Sequence, residues 1–256
     1  MDYTKKKALY LELVNDIQNC PLQEMCSNNE SNVSLHQCSS CHEVNMWSYW
    51  QGGIDCLDAD IIVVGKDWGP CDDKIAKAYI YGYNHMPYPP KNDKNTDNNL
   101  CTLMKDCLGY DIKNNHYNKL FFTNFILCYR LAGQSSKGGF KCQKSADKDV
   151  RVLKNCSNFF VRLVNIINPK VIVCLGIPPY IGVTSSTNQI TPDFRNAIGQ
   201  PPQHLQIGNT KCYVFAVEHC GINGANNRSK RFNGVPNHDT GWDLMKKDWN
   251  EISKYL

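Results

Sequence analysis

The stretch ADIIVVGKDWGP, residues 59–70, contains a short run of apolar residues, Ile61 to Val64, that ends at Gly65. A run without polar alternation is typical of a strand whose two faces are both buried, as in a parallel sheet. Three further runs of the same kind occur: KLFFTNF at 119–125, PKVIVCLG at 169–176 and KCYVFAVEH at 211–219. Because helical patterns separate the four runs, the sequence predicts the α/β class: a three-layer α/β/α fold with a four-stranded parallel core sheet.

Apolar residues at helical spacing mark the segments between the strands. The patterns predict helices over residues 4–18, 98–108, 145–167 and 241–256, with Ser145 as the N-cap of the third. Two polar stretches rich in proline or glycine, residues 84–99 and 133–144, are interpreted as loops or insertions. Since no repeat or linker interrupts the pattern, we expect one domain over residues 1–256, with a cysteine-bearing N-terminal segment, residues 1–58, packed on it.

The composition narrows the class of protein. The chain has 256 residues, 42% of them apolar, which is enough for a packed core. Its net charge of +4 is compatible with a polyanionic partner but does not indicate one. No apolar run approaches the length of a membrane span, and the start resembles an amphipathic helix rather than a signal peptide. Fourteen cysteines in a long chain without a secretion signal favour reduced thiols, some on a metal.

Polar side chains follow three of the predicted strands. Asp67 lies just beyond the first strand, Asn124 ends the second, and His219 follows the fourth. Because ligands of parallel sheets bind at the carboxyl ends of the strands, we expect an acid, an amide and an imidazole to meet at one edge. Each residue also has a simpler interpretation: Asp67 as a helix cap, Asn124 as an anchor of a loop, and His219 as a structural histidine.

Several motifs, in one order along the chain, resemble the uracil-DNA glycosylase superfamily, most closely its iron–sulfur family 4 type. They are Cys38-Ser-Ser-Cys41, Gly65-Lys-Asp-Trp-Gly69, Asn124-Phe-Ile-Leu-Cys128-Tyr-Arg130, Cys156 in VLKNCSNFF, NPKVIVCLG at 168–176, and His219-Cys-Gly221. The chain differs from the family pattern at Lys66, Trp68 and Cys220. These differences leave open another damaged base as the substrate, or a catalytically inactive protein of the same fold.

The resemblance implies a monofunctional DNA glycosylase, a hydrolase that removes uracil or a related deaminated base from DNA in base excision repair. Such an enzyme extrudes the base into a pocket and recognises its hydrogen-bonding edge. Asn124 would read the base, and His219 would stabilise the departing base anion at O2. Asp67 would steady the sugar cation or orient the attacking water. We identify no lysine nucleophile and therefore expect no lyase step.

The resemblance also assigns supporting residues around the base and the DNA. Tyr88 would stack on the flipped base, with Tyr81 as the second choice. Gly65 and Trp68 would border the base. The contacts to the DNA backbone would come from Arg228, Lys230 and Arg231.

Four cysteines match the cluster ligands of the family 4 type. They are Cys38, Cys41, Cys128 and Cys156. Four thiolates, two of them from a CxxC turn, suit a structural [4Fe–4S] cluster. Structural zinc and no metal at all are the alternatives, and Cys142 is a rival for the fourth ligand.

The expected partner is DNA with a flipped-out base, and we expect a monomer in the cytoplasm, associated with the nucleoid, or in the nucleus. The first alternative is a catalytically inactive nucleic-acid-binding protein that keeps the cluster and the sheet. The second is an unrelated α/β hydrolase that uses Asp67 and His219 on a nucleotide.

Overall fold

In the computed structural model, the described residues are 1–18, 32–33, 52–66, 70–71, 94–127, 129–131, 133–134, 140–141, 150–187 and 189–256. Five strands form the main sheet. They are β1 (Ile61–Gly65), β2 (Leu120–Asn124), β3 (Val171–Leu175), β4 (Gln203–Ile207) and β5 (Thr210–Val217). Their order across the sheet is β2-β1-β3-β5-β4.

Four of the five strands are parallel, and β4 runs antiparallel to β5. The predicted α/β class is confirmed. The prediction of a four-stranded, all-parallel sheet was wrong at one edge, because the two-residue connection Gly208-Asn209 turns the chain straight back and adds β4 in the antiparallel direction. Gly208 has a φ of 57°, a conformation that suits such a tight hairpin.

Seven α-helices surround the sheet in the described part of the chain. They are α1 (Tyr3–Gln18), α2 (Lys94–Leu108), α3 (Val150–Ile167), α4 (Ile177–Ser185), α5 (Phe194–Ala197), α6 (Gly224–Asn233) and α7 (His238–Ile252). Single 3-10 turns occupy Ile54–Cys56 and Ser253–Tyr255. None of the described helices combines the length and the apolar character that crossing a lipid bilayer requires.

The core lies in two apolar layers, one on each face of the sheet. Ile62, Phe121 and Ile172 point to the layer that α1, α3, α4 and α5 cover. Their neighbours in the strands, such as Val63 and Phe122, point to the layer under α2, α6 and α7. Since both faces of β1, β2 and β3 are buried, these strands consist almost entirely of apolar residues, as the sequence indicated.

Short strands flank the main sheet. Tyr129–Leu131 pairs antiparallel with Asn32–Val33 and parallel with Pro70–Cys71, and Gly133–Gln134 pairs with Phe140–Lys141. The first of these small sheets connects the N-terminal segment to the chain that follows β1 and to the chain that follows β2.

Two of the predicted helices begin several residues earlier in the structure. Residues 94–99, interpreted as part of a loop, form the first turns of α2. The last helix begins at His238 rather than at 241, because Oδ1 of Asn237 accepts a hydrogen bond from the Thr240 N–H and caps it. The predicted N-cap Ser145 lies outside the described residues.

Candidate functional site at the carboxyl edge of the sheet

The strand order creates a crevice at one edge of the sheet. In the sheet, β2 lies on one side of β1 and β3 lies on its other side. The chain connections therefore lead away from each other at the gap between β1 and β3. Ligands of open α/β sheets bind at such a switch point, beyond the carboxyl ends of the strands. In this chain Gly65 and Gly176 border the switch point, with Asn124 and His219 one strand further out on either side.

Asn124 is the last residue of β2 and lies directly opposite Gly65 of β1 in the parallel register. Asn124 is only 2% exposed. Neither Oδ1 nor Nδ2 has a hydrogen-bond partner among the residues that the structure describes. A buried polar group without a partner costs about 1–3 kcal/mol, so this amide is poised for a partner from outside the described residues.

A small cavity adjoins Asn124. Its volume is about 30 Å³, enough for about one water molecule. Thr123 and Asn124 contribute its polar lining, and side chains of α1 and α3 close it on the other side. His219 is not among the residues that line this cavity.

His219 follows β5 and is exposed. The backbone N–H of Gly221 donates a hydrogen bond to its Nδ1 over 2.9 Å. Since Nδ1 is the acceptor, the neutral ring carries its proton on Nε2. The imidazole can therefore act as a hydrogen-bond donor while it stays neutral.

Glycines surround His219 closely. Gly176 has a φ of 93°, and a Cβ there would lie 3.4 Å from the Cβ of His219. A Cβ at Gly221 would lie 2.8 Å from Nδ1 of His219, and one at Gly224 would collide with the His219 carbonyl oxygen. The backbone therefore approaches His219 from three sides, and larger residues at these positions would displace it.

The N-terminal end of α2 holds the loop after His219. Nδ2 of Asn99 donates to the Cys220 carbonyl oxygen over 2.9 Å. Asp97, in the same first turns, is 3% exposed, which places a buried carboxylate near this loop. The sequence did not indicate Asp97 as a site residue because residues 84–99 were interpreted as a loop.

Ile222 is a second residue that the sequence did not single out. It follows Gly221 and its apolar side chain is 68% exposed. Its position directly after the His219-Cys-Gly221 motif is the signal that could have identified it. Because its side chain is open to solvent three residues after His219, it is accessible to a ligand of this site.

The cysteines near the site are protonated at neutral pH. Burial raises the pKa of Cys220 to about 12, and burial together with the Asp97 charge raises the pKa of Cys101 to about 11. A thiol in this state is a poor nucleophile. Cys220 therefore fills space rather than reacts.

The predicted DNA-backbone residues have different surroundings. Arg228 is 5% exposed, and its Nε and Nη2 donate to the Asp248 carboxylate over 2.6 and 3.0 Å. This guanidinium faces the protein interior, so a contact with a phosphate would require the pair to open. Arg231 is half-buried and donates to Glu218 over 2.7 Å, whereas Lys230 is exposed.

Other predicted site residues lie outside the described residues. They are Asp67, Trp68, Tyr81, Tyr88, Cys38, Cys41, Cys128 and Cys142. The fourth proposed cluster ligand, Cys156, lies on α3 and is 3% exposed. Within the described part of the chain, no group of three His, Cys, Asp or Glu residues could hold a metal ion, so the cluster stays a prediction.

One backbone pairing bears on the proposed ligands. Val33, five residues before Cys38, lies opposite Tyr129, the residue directly after Cys128.

No protein-family model matches the chain, and no match was found among curated proteins.

Proposed function

We propose that the chain is a DNA glycosylase that hydrolyses the N-glycosidic bond of uracil or a related deaminated base. The observation that supports this most is the buried Asn124 amide, which has no hydrogen-bond partner among the described residues and lies at the same sheet edge as His219. A carboxamide presents one acceptor and one donor in a plane. The uracil edge presents the complementary pair, N3–H and O4.

In this proposal Asn124 distinguishes uracil from cytosine. Oδ1 accepts from N3–H and Nδ2 donates to O4. Cytosine has an acceptor at N3 and a donor at N4, so it would leave buried polar groups unpaired at a cost of about 1–3 kcal/mol each. Three strand spacings, about 14 Å, separate β2 from β5, so Asn124 and His219 would approach the base from opposite sides, and the base would need more space than the cavity of about 30 Å³ beside Asn124 offers.

The reaction uses His219 as a neutral electrophile. Water attacks C1′ of the sugar, the C1′–N1 bond breaks, and its electron pair stays on the base. The Nε2–H of His219 donates to O2 of the resulting base anion. The Gly221 hydrogen bond supports this role, because it keeps the proton on Nε2. Asp67 would accept the proton of the attacking water, and solvent would later protonate the base.

DNA contacts would come from the same loop. Extruding a base leaves a gap in the stack, and proteins fill such gaps with apolar side chains. Ile222 is exposed and lies three residues after His219, which suits this role. Lys230, exposed on α6, would contribute a phosphate contact.

A structural [4Fe–4S] cluster forms a separate part of the proposal. Cys38, Cys41, Cys128 and Cys156 would hold it and pin the N-terminal segment to β2 and α3. The pairing of Val33 with Tyr129 supports it, because it brings the segment before Cys38 next to the residue after Cys128. Purified protein should then be brown and contain about four iron atoms per chain. A colourless protein with bound zinc would contradict the cluster. A protein without metal would contradict both the cluster and the zinc alternative.

An alkali-nicking assay tests the enzymatic proposal. Single-stranded oligonucleotides, each with one uracil, hypoxanthine, xanthine or cytosine, are incubated with the protein and then cleaved at abasic sites with alkali. The wild-type protein should give product with uracil or another deaminated base and none with cytosine. His219→Ala should lower the rate by about 10²-fold or more.

His238→Ala provides the matched control. His238 is an exposed histidine at the start of α7, with Asp239 as its neighbour and no part in the site. It should keep wild-type activity. No product on any base, with oligonucleotide binding retained, would favour the catalytically inactive nucleic-acid-binding protein instead.

A further inference from the structure

A second cavity, of about 430 Å³, lies where the loop after α5 meets α6 and α7. Neither Asn124 nor His219 lines it. The strand β4 pairs with β5 only as far as Val214. Phe215 and Ala216 therefore have no strand neighbour on that side, and they line the cavity. Pro201, which cannot donate to a sheet, lies just before β4 and also lines the cavity.

Cationic side chains dominate the charge of this cavity. Four cationic and two anionic residues line it. The two anions already have cationic partners: Asp248 holds Arg228 at 2.6 Å, and Glu251 holds Lys254 at 2.5 Å. The half-buried Arg231 binds Glu218 at 2.7 Å.

Two cations of the lining remain available. Arg195 and Lys247 are both exposed, and neither forms an ion pair with another residue in the described ranges. The positive charge of Lys247 also lowers the pKa of Asp248, against the larger raising effect of burial, which shows that the lysine lies close to the Arg228–Asp248 pair. Two unpaired positive charges at one cavity match a ligand with two negative charges.

An aromatic ring borders the same cavity. Phe232 is 66% exposed, although a phenyl ring of this size is usually buried. Exposed aromatic rings beside cationic grooves stack on the bases of nucleotides. The volume falls in the range of about 300–1,000 Å³ that is usual for pockets of small ligands.

We propose that this cavity binds a nucleotide that carries a terminal phosphate, with Arg195 and Lys247 on the phosphate and Phe232 on the base. A phosphomonoester carries close to two negative charges at neutral pH, whereas an internal phosphodiester carries one. The ligand is either a free mononucleotide or the phosphorylated end of a DNA strand. The site does not depend on glycosylase activity, since it uses neither Asn124 nor His219.

Isothermal titration calorimetry of the full chain tests this site with adenosine 5′-monophosphate, adenosine and inorganic phosphate. The monophosphate should bind and adenosine should not bind at the same concentrations. The double variant Arg195→Gln/Lys247→Gln should weaken monophosphate binding about tenfold or more. Lys211→Gln, which changes an exposed lysine near the start of β5, should leave it unchanged.

The stacking contact has its own variant. Phe232→Ala should weaken binding of the monophosphate but not of inorganic phosphate. The substituted side chains are exposed, so the variants should fold, which a thermal melt checks. Equal binding of adenosine and its monophosphate, or wild-type affinity in the double variant, would overturn the proposal.

Two further arms identify the source of the ligand and separate this site from the proposed reaction. A single-stranded oligonucleotide with a 5′-phosphate is compared with the same strand without it. Tighter binding of the phosphorylated strand than of the mononucleotide indicates a DNA end; the reverse order indicates a free nucleotide, and both support the site. His219→Ala should abolish base excision and keep the monophosphate affinity, and a loss of that affinity would contradict an independent site.

Discussion

The backbone N–H of Gly221 donates a hydrogen bond to Nδ1 of His219, and a Cβ at position 221 would lie 2.8 Å from the same nitrogen. The hydrogen bond favours the tautomer that carries its proton on Nε2, and the short Cβ distance limits the size of the residue at position 221. A ring held in this way can donate from Nε2 without carrying a charge.

Gly221→Ala should therefore displace the His219 ring and lower base excision about tenfold or more, because the oxyanion donor loses its position. The melting temperature should change only slightly, since the loop lies at the surface. Gly109→Ala is the control, because it places a side chain on a residue with a positive φ, 76°, but the added Cβ would meet no atom within 4 Å. This control should lose some stability and keep its activity; equal activity in both variants would contradict the role of the Gly221 contact.

The Arg228–Asp248 pair should behave as a buried ion pair that supports the packing of α6 on α7. Asp248→Asn leaves the Arg228 guanidinium buried without a counter-charge, so the free energy of unfolding should fall by about 3–5 kcal/mol. The double variant Arg228→Met/Asp248→Leu should lose less than Asp248→Asn. Urea unfolding measures both, and a double variant that is less stable than the single one would contradict this interpretation.

Buried thiols should make the protein sensitive to alkali. Burial raises the pKa of Cys212 and Cys220 from 9 to about 12. Between pH 9 and 12 the unfolded chain loses the proton of each thiol, whereas the folded protein keeps it. The free energy of unfolding is therefore unaffected by these thiols below pH 9 and falls as the pH rises toward 12. Each thiol should contribute a slope of about 1.4 kcal/mol per pH unit in this window.

Cys212→Ala tests the alkaline prediction. Because it removes one of the titrating thiols, the decrease of unfolding free energy between pH 9 and 11 should become less steep than in the wild type. Cys107→Ala, at a half-buried thiol with a smaller rise in pKa, should change the slope less. An identical slope in the wild type and Cys212→Ala would show that this thiol does not titrate with unfolding.

Ile222 should matter more for duplex DNA than for single strands. If it fills the gap that an extruded base leaves, Ile222→Ala should slow uracil excision from a duplex about tenfold and leave the single-stranded reaction nearly unchanged. Val235→Ala, which truncates another exposed apolar residue outside this loop, serves as the control. Equal losses on both substrates would point to a role in holding His219 instead.

The strands of the core were predictable because burial of both faces leaves a simple apolar signal, as in Val171–Leu175. The edge strand Gln203–Ile207 was not, because its exposed face interrupts the apolar run with polar residues. The helix Ile177–Ser185 was missed as well; its prolines suit a first turn but resemble a loop in the sequence.

Part of the site was predictable for the same geometric reason. Asn124 and His219 follow two parallel strands of one sheet, β2 and β5, so the strand pattern alone predicts that they lie at one edge, with β1 and β3 between them. The burial of Arg228 was not predictable, because it depends on a partner in another element. Asp248, for example, is 20 residues from Arg228, and no local pattern connects them.

The most direct test of the central claim is the release of free base by the variant Asn124→Asp. Wild-type protein and variant are incubated with single-stranded oligonucleotides that contain uracil or cytosine as the test base, and the free bases are quantified by mass spectrometry. The wild type should release uracil and no cytosine. The variant should lose at least about tenfold in its preference for uracil over cytosine, because an ionised carboxylate accepts from N3–H but has no proton to donate to O4. Two results would contradict the assignment of Asn124 as the reader of the base: a wild-type protein that releases no free base, or a variant that keeps the wild-type preference for uracil over cytosine.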